Sequence, residues 1–337
     1  MLGRVVLERL FLARLPFGGC HRAAPPGPGS VEVVFSVLGE TTRATGTDGE
    51  AVVDDWALLL YRDGRLAEAG TSSSSAEIRK TLPAGDYTAF AVVNPPASFD
   101  PAGYLSPGAL AGAESALGDN APGRLVMAGR RTVSVPVPDG SVQRIGVDRL
   151  VCKAGIRKIT VQFADPGLAA RPFRLKGVYL TNCYGKSRYG SDWAAEDILS
   201  TASSWHNRMG FHSEAGVDGL LAETGLDIPV TADRPHTQEH VFYFYPNPLP
   251  ASLDTRSGTW VRRRTRLVLE AQIGDRTYYY PVTLPESQRN RTYLIEEAVI
   301  RTLGSLDPEK DEPGSIEVTF RTSTEDWSPS YPVTETS

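Results

Sequence analysis

The sequence predicts an all-β protein made of two antiparallel β-sandwiches, and three observations carry that reading. Short apolar or alternating runs recur along the chain, separated by turns rich in Gly, Pro, Asn and Asp. Strand-like runs never alternate with long helical patterns, which argues against a parallel α/β sheet. The third is length: 337 residues exceed what one hydrophobic core normally organises, so about two domains are expected. A hydrophobic content of 41% and a charged content of 22% are ordinary for a globular protein, and a net charge of −5 gives no sign of a nucleic-acid partner.

The first strand is expected at Val31 to Leu38, after a Pro/Gly linker at Pro25 to Gly29. Val31, Val33 and Phe35 share one face of it, because successive strand side chains point to opposite sides. Thr41 to Gly49 has no apolar periodicity and reads as an exposed loop whose only basic site is Arg43-Ala44. An exposed Arg-X bond is what a trypsin-like protease requires. Trp56 to Tyr61 forms an apolar run closed by the turn Arg-Asp-Gly-Arg, and Ile78 to Leu82 reads as a hairpin with Tyr87 to Val93 across Pro-Ala-Gly. Pro107 to Leu117 is a short-helix candidate, and Pro136 confines the strand at Val133 to Val137 to an edge.

Renewed strand signal after a Pro-Asp-Gly turn places a domain break near Val147. Leu150 to Phe163 alternates, and Phe173 to Cys183 is expected to pair with it. Between Gly190 and Leu226 short helices are expected at Ala194 to Leu199 and Val217 to Glu223. Strands then resume at His240 to Tyr245, Thr265 to Ile273, Thr277 to Thr283 and Arg291 to Thr302. The closing strand, Ile316 to Thr322, repeats the apolar row of the first with Ile316, Val318 and Phe320, so either strand could fill the same slot.

Chemical motifs are weak. His236-Thr237-Gln238-Glu239-His240 has the spacing of an inverted zincin, but that chemistry needs a helix, and the flanking Pro235 and Val-Phe-Tyr-Phe-Tyr are strand sequence. Along a strand the two histidines would stand about 13 Å apart, too far for one ion, and are read as solvated loop residues. No metal site, cofactor or catalytic residue is therefore expected. His206 and His212 read as polar loop residues beside Ser203 and Ser204, without a nucleophile elbow. Phe242 to Tyr245 and Tyr278 to Tyr280 are read as strand core rather than a sugar-stacking surface, and Arg263, Arg264 and Arg266 as a solvated strand face. Cys152 and Cys183 are read as buried thiols. Cys20 follows two small residues in Leu-Pro-Phe-Gly-Gly-Cys, which is similar to a lipoprotein processing site, although Glu8, Arg9 and Arg14 interrupt the apolar part of the leader; a thiol left unmodified is the alternative.

Together these segments resemble the fimbrillins, the FimA/Mfa-like type V pilus subunits of Bacteroidales. The residues that carry the resemblance are Thr42-Arg43-Ala44, Val52 to Tyr61 with its Arg-Asp-Gly-Arg-Leu turn, Leu82 to Pro96, Arg149 to Val161, Tyr243 to Pro248, Thr277 to Val282, Arg289 to Ile295 and the terminal Ile-Glu-Val-Thr-Phe-Arg-Thr-Ser-Thr-Glu-Asp-Trp. The specificity lies in their order, from about Thr42 to Trp327.

The resemblance implies transthyretin-like sandwiches and a non-enzymatic, structural role at the cell surface. It divides the chain into a leader over 1–20 with lipidation at Cys20, an N-terminal propeptide strand over 21–43, sandwiches over 44–147 and 148–314, and a donor segment over 315–337. It further implies attachment to the outer membrane through the lipid before maturation, and cleavage between Arg43 and Ala44 by an arginine-specific surface protease. The groove left by Val31, Val33 and Phe35 would then accept Ile316, Val318 and Phe320 of another fimbrial subunit, with Trp327 anchoring the far end. A tip or accessory adhesin, or a carbohydrate-binding surface lipoprotein of the same fold, is the alternative, with a host or bacterial surface receptor as partner.

Overall fold

A computed structural model describes residues 30–38, 50, 52–74, 76–138, 141–200, 204–208, 217–250 and 260–323. The chain is all-β. Its strands are β1 (Ser30–Leu38), β2 (Trp56–Arg62), β3 (Arg65–Ser72), β4 (Ile78–Pro83), β5 (Gly85–Val93), β6 (Glu114–Ala116), β7 (Met127–Val135), β8 (Val142–Gly146), β9 (Asp148–Arg149), β10 (Cys152–Ile156) and β11 (Ile159–Val161). They continue as β12 (Phe173–Thr181), β13 (Cys183–Tyr184), β14 (Lys186–Arg188), β15 (Trp205–His206), β16 (Ala222–Pro229), β17 (His240–Phe244), β18 (Arg266–Ile273), β19 (Arg276–Thr283), β20 (Thr292–Ile300) and β21 (Ile316–Ser323). The helices are short: α1 (Pro107–Gly112), α2 (Pro166–Ala169), α3 (Ala195–Ser200) and α4 (Asp218–Leu221).

The N-terminal half stacks a sheet of order β4-β1-β8 on one of order β3-β2-β5-β7-β9. Val33, Phe35, Leu82 and Ile145 of the first sheet meet Trp56, Leu58, Leu60, Ala89, Ala91 and Val133 of the second. The opposite face of that second sheet is buried too, where Ala57, Leu59, Tyr61, Phe90 and Val92 join a core that continues into the C-terminal half. Burial on both faces is why Trp56 to Tyr61 is an unbroken apolar run instead of an alternating one. The β2–β3 turn has the expected chemistry: Asp63 and Gly64 take φ of 51° and 75°, a conformation open to Gly and tolerated by Asp.

The C-terminal half stacks β21-β20-β10-β17, with β11 extending β10 alongside β20, on β16-β12-β18-β19. In β12 a bulge between Leu175 and Gly177 shifts the inward row from Phe173 and Leu175 to Val178 and Leu180, all of which stay in the core.

Two strand pairings differ from expectation. β4 and β5 do not form a hairpin, because β4 pairs with β1 while β5 pairs with β2 and β7 in the facing sheet. The chain crosses between the sheets at Gly85, whose φ of 145° is available to Gly alone at little strain. Likewise β12 pairs with β16 and β18 and faces β10 and β11 across the core, since the connection carrying α2 lifts the chain into the other layer. The helices α1, α3 and α4 fall within or beside the expected segments, whereas α2 lies in a connection where no helix is expected. The edge reading of Val133 is consistent with β7, whose outer side meets β9 only at Met127 and Ala128.

Asn94 closes β5 and shows how the first half is tied. It is fully buried with φ of 51°; its Oδ1 accepts from the Asp54 amide at 3.0 Å, and its Nδ2 donates to the carbonyls of Val52 at 2.7 Å and Leu125 at 3.0 Å. Asn94→Ala removes three hydrogen bonds, of which the one to Leu125 is wholly buried, and should lower unfolding free energy by about 1–3 kcal/mol. Urea denaturation of the two proteins side by side measures this loss.

Candidate functional site

The two strands with matching apolar rows occupy different kinds of position. β1 is the central strand of its sheet, antiparallel to β4 from Ser30 to Phe35 and parallel to β8 from Val34 to Leu38. Val33 and Phe35 are fully buried, with Val31 and Val37 packed beside them. Each fully buried side chain of this size contributes about 1.5–3 kcal/mol. β21 is an edge strand: among the described residues it pairs with β20 alone, with Ile316 opposite Ile300 and Phe320 opposite Ile295. Ile316 and Val318 lean on the core, whereas Phe320 remains 37% exposed.

The walls of the β1 slot are fastened independently of β1. On the β4 side, Tyr87 Oη donates to the Pro83 carbonyl at 3.0 Å, Trp56 Nε1 to the Ala76 carbonyl at 3.0 Å, and Lys80 reaches the Ala69 carbonyl and the Glu68 carboxylate. On the β8 side, Arg131 Nη1 donates to the Arg144 carbonyl at 2.9 Å. Gly129 lets β7 and β8 approach so closely that a Cβ there would lie 1.8 Å from the Gly146 oxygen. Each wall is thus tied to the facing sheet by contacts that do not pass through β1.

The chain that follows residues 39–49 is pinned as well. Glu50, the first described residue after 39–49, accepts Arg149 Nε on its carbonyl at 3.0 Å. Its carboxylate takes Lys153 Nζ at 2.8 Å and the Tyr243 hydroxyl. Those partners sit on β9, β10 and β17, so the chain from Glu50 onward is fastened by contacts that do not involve β1. Arg43, Ala44, Cys20, Trp327 and His212 lie outside the described residues.

The remaining candidates resolve as structural groups. His236 and His240 are not on one continuous strand: His236 forms a bridge with Ile159, residues 237–239 loop out, and the chain re-enters β17 at His240. Their Nε2 atoms are 2.9 Å apart and His240 Nδ1 is 2.8 Å from Glu223 Oε2. Both expectations for this motif, wide separation and solvation, are overturned, because both rings are buried. The carboxylate fixes the tautomer: His240 Nδ1–H donates to Glu223, leaving its Nε2 to accept from His236 Nε2–H. This chain of hydrogen bonds links β17 of one sheet to β16 of the other. No group of three His, Cys, Asp or Glu placed to hold a metal occurs among the described residues.

The arginine run is not a solvated strand face. Arg263 and Arg266 are buried, with Arg263 paired to Glu309 at 2.8 Å and Arg266 donating to the Glu309 carbonyl at 2.9 Å and pairing with Asp311 at 3.1 Å. The returning 307–312 segment covers them, a long-range contact that strand alternation does not encode. Phe242, Tyr243, Phe244, Tyr245, Tyr278 and Tyr280 are core. Cys152 and Cys183 are buried thiols not bonded to each other, and burial pushes the Cys152 thiol well above its ordinary pKa.

Similarity to known proteins lies in the fold. The chain superposes on a candidate cell adhesion protein from Bacteroides eggerthii with a TM-score of 0.64 at 16% identity, covering 88% of this chain and 97% of that one. It superposes on a fimbrilin from Porphyromonas gingivalis with a TM-score of 0.56 at 15% identity, covering 86% and 96%. A tip fimbrial protein from the same organism, with a C-terminal truncation, gives 0.50 at 14% identity, covering 86% and 99%. No family model and no curated protein matches the sequence.

The histidine pair carries a pH prediction. Burial, and secondarily the neighbouring His240, hold the His236 pKa below its ordinary value. The unfolded chain therefore takes up this proton first as pH falls through about 6.5, so stability is full above that pH and declines below it toward the folded pKa. Melting temperatures at pH 7.5 and 5.5 should differ more for the native protein than for His236→Gln.

Proposed function

We propose that this chain is a fimbrillin-type structural subunit of a surface fimbrium, polymerised by protease-triggered strand exchange. The carrying observation is the pair of matched strands in unequal positions: a central β1 whose slot has independently fastened walls, and an edge β21 of the same apolar row. Cleavage between Arg43 and Ala44 severs β1 from the body, and Glu50 keeps the remaining chain in place. Two ladders of backbone groups and the inner faces of Ile78, Leu82 and Ile145 then face water. Unpaired backbone groups and exposed apolar surface make that state a strong acceptor for a strand.

A strand leaving β20 for this slot exchanges one ladder for two. Ile316, Val318 and Phe320 of a neighbouring copy would occupy the places of Val31, Val33 and Phe35, with backbone pairing supplying affinity and alternate pockets supplying fit. The slot and the tail belong to different halves of the chain, so the contact is head-to-tail and propagates. In this reading the precursor reaches the cell surface as a lipoprotein anchored through Cys20 in the outer membrane, an arginine-specific protease is the trigger, and other fimbrial subunits are the partners.

Limited trypsin digestion of the protein from Cys20 onward, followed by mass spectrometry and an unboiled denaturing gel, tests this. The expected result is one early cut after Arg43 and a ladder of resistant oligomers. A variant lacking Ser315–Ser337 keeps its slot but lacks the donor; it should form no ladder alone and should shorten the ladder when mixed with the full chain. Protection of Arg43, or cleavage that leaves monomers, would sink the proposal.

A further inference from the structure

We infer that the exchanged strand enters in β1's own register, fixed by Phe320 taking the place of Phe35, and that Glu317 gives up Arg301 for Arg79 of the subunit it enters. This rests on the strand-exchange reading and adds to it the residues that set its specificity.

Differential burial points to Phe320. Only interactions that differ between two states shift the balance between them. Ile316 and Val318 already lean on their own core in β21, whereas Phe320 is 37% exposed and would move to a position where Phe35 is fully buried. Among the three apolar residues, Phe320 therefore has the most to gain by leaving.

Shape then decides the register. Aligning Phe320 with Phe35 lays Ile316–Ser323 over positions 31–38, the whole of β1 after Ser30. A slip of one residue turns the apolar row to solvent. A slip of two in one direction puts Val318 in the Phe35 position and Phe320 in the half-buried position of Val37; in the other direction Thr322 replaces Phe35. Both leave the deepest part of the slot underfilled or polar.

Charge agrees with the same alignment. In β21, Glu317 accepts two hydrogen bonds from Arg301, at 2.7 and 3.1 Å. In β1, Glu32 accepts from Arg79 Nη1 at 3.1 Å on the outer face. The alignment sets Glu317 where Glu32 was, so the carboxylate leaves one guanidinium for another. Arg79 also pairs with Glu77 at 3.1 Å, which holds it at the rim. The alignment brings Arg321 beside Arg144 on β8, where Ser36 now sits. Arg144 is exposed, and repulsion across an exposed cross-strand pair weighs less than an underfilled aromatic position.

Engineered cysteines read the register directly. Thr319→Cys is combined in one chain with Val142→Cys, Arg144→Cys or Thr81→Cys, each chain is cut at Arg43, and mild oxidation is followed by a boiled, non-reducing gel. β1 faces Val142 from Val34, Arg144 from Ser36 and Thr81 from Glu32. The inferred register predicts a covalent ladder with Val142→Cys and little with the other two. A ladder with Arg144→Cys or Thr81→Cys instead, or a resistant ladder that none of the pairs cross-links, overturns the register while leaving strand exchange standing. Absence of any ladder after cleavage defeats the exchange reading itself. Separately, Glu317→Arg should slow ladder growth about two- to fivefold and Arg79→Glu should restore it in the double variant. Equal growth in all of them overturns the ion-pair exchange.

Discussion

The structure depends on one constraint: a strand in the middle of a sheet satisfies backbone groups on both sides, and a strand at the edge satisfies one side only. β1 is the first kind and β21 the second. Buried backbone groups cannot be left unpaired without a large penalty, so the N-terminal sandwich needs some strand in that slot. Under the proposed exchange, that strand need not be its own. Val33 and Phe35 are fixed by what surrounds them, namely Leu82, Ile145, Leu58 and their neighbours, and those residues would accept another strand with the same row.

A second condition separates an exchangeable strand from an ordinary one. Removing a central strand usually collapses the sheet, because its neighbours lean on each other through it. Here β4 and β8 are each tied to the facing sheet, by Tyr87, Trp56 and Lys80 on one side and by Arg131 and the Gly129–Gly146 approach on the other. Glu50 performs a related task along the chain, because its three partners fix the point at which the body begins. These contacts hold both walls and the start of the body without passing through β1, which the proposed exchange requires.

Much of this is legible in the sequence, and the reason is periodicity. The rows Val31, Val33, Phe35 and Ile316, Val318, Phe320 are strictly alternating and sit on strands with one face toward a core, the case that a period of two describes. Whether a strand is central or an edge is not a local property, and nothing within Ile316–Thr322 reveals that it lies on β20. The pairings that differ from expectation share this cause. Ile78–Leu82 and Tyr87–Val93 look like a hairpin because their turn is short, yet Gly85 sends the chain into the other layer. His236 and His240 stand far apart only if one strand carries both, and a three-residue loop brings their rings together. Arg263 and Arg266 look solvated in their own segment because the stretch that covers them lies more than forty residues downstream.

The edge position of β21 also bears on when exchange can happen. β21 pairs with β20 along its whole described length, and this protects an apolar tail that would otherwise be a hazard in solution. The same pairing opposes exchange, since it must open before the strand can enter another slot. With β1 in place that opening gains nothing, because the slot is full and the tail returns to β20. With β1 removed, the proposed exchange would offer the opened strand two ladders in place of one and a buried position for Phe320. Under the proposed exchange, the cut would therefore control assembly at the acceptor and not at the donor: every subunit could carry a competent tail at all times, and polymerisation would wait on the emptying of a slot.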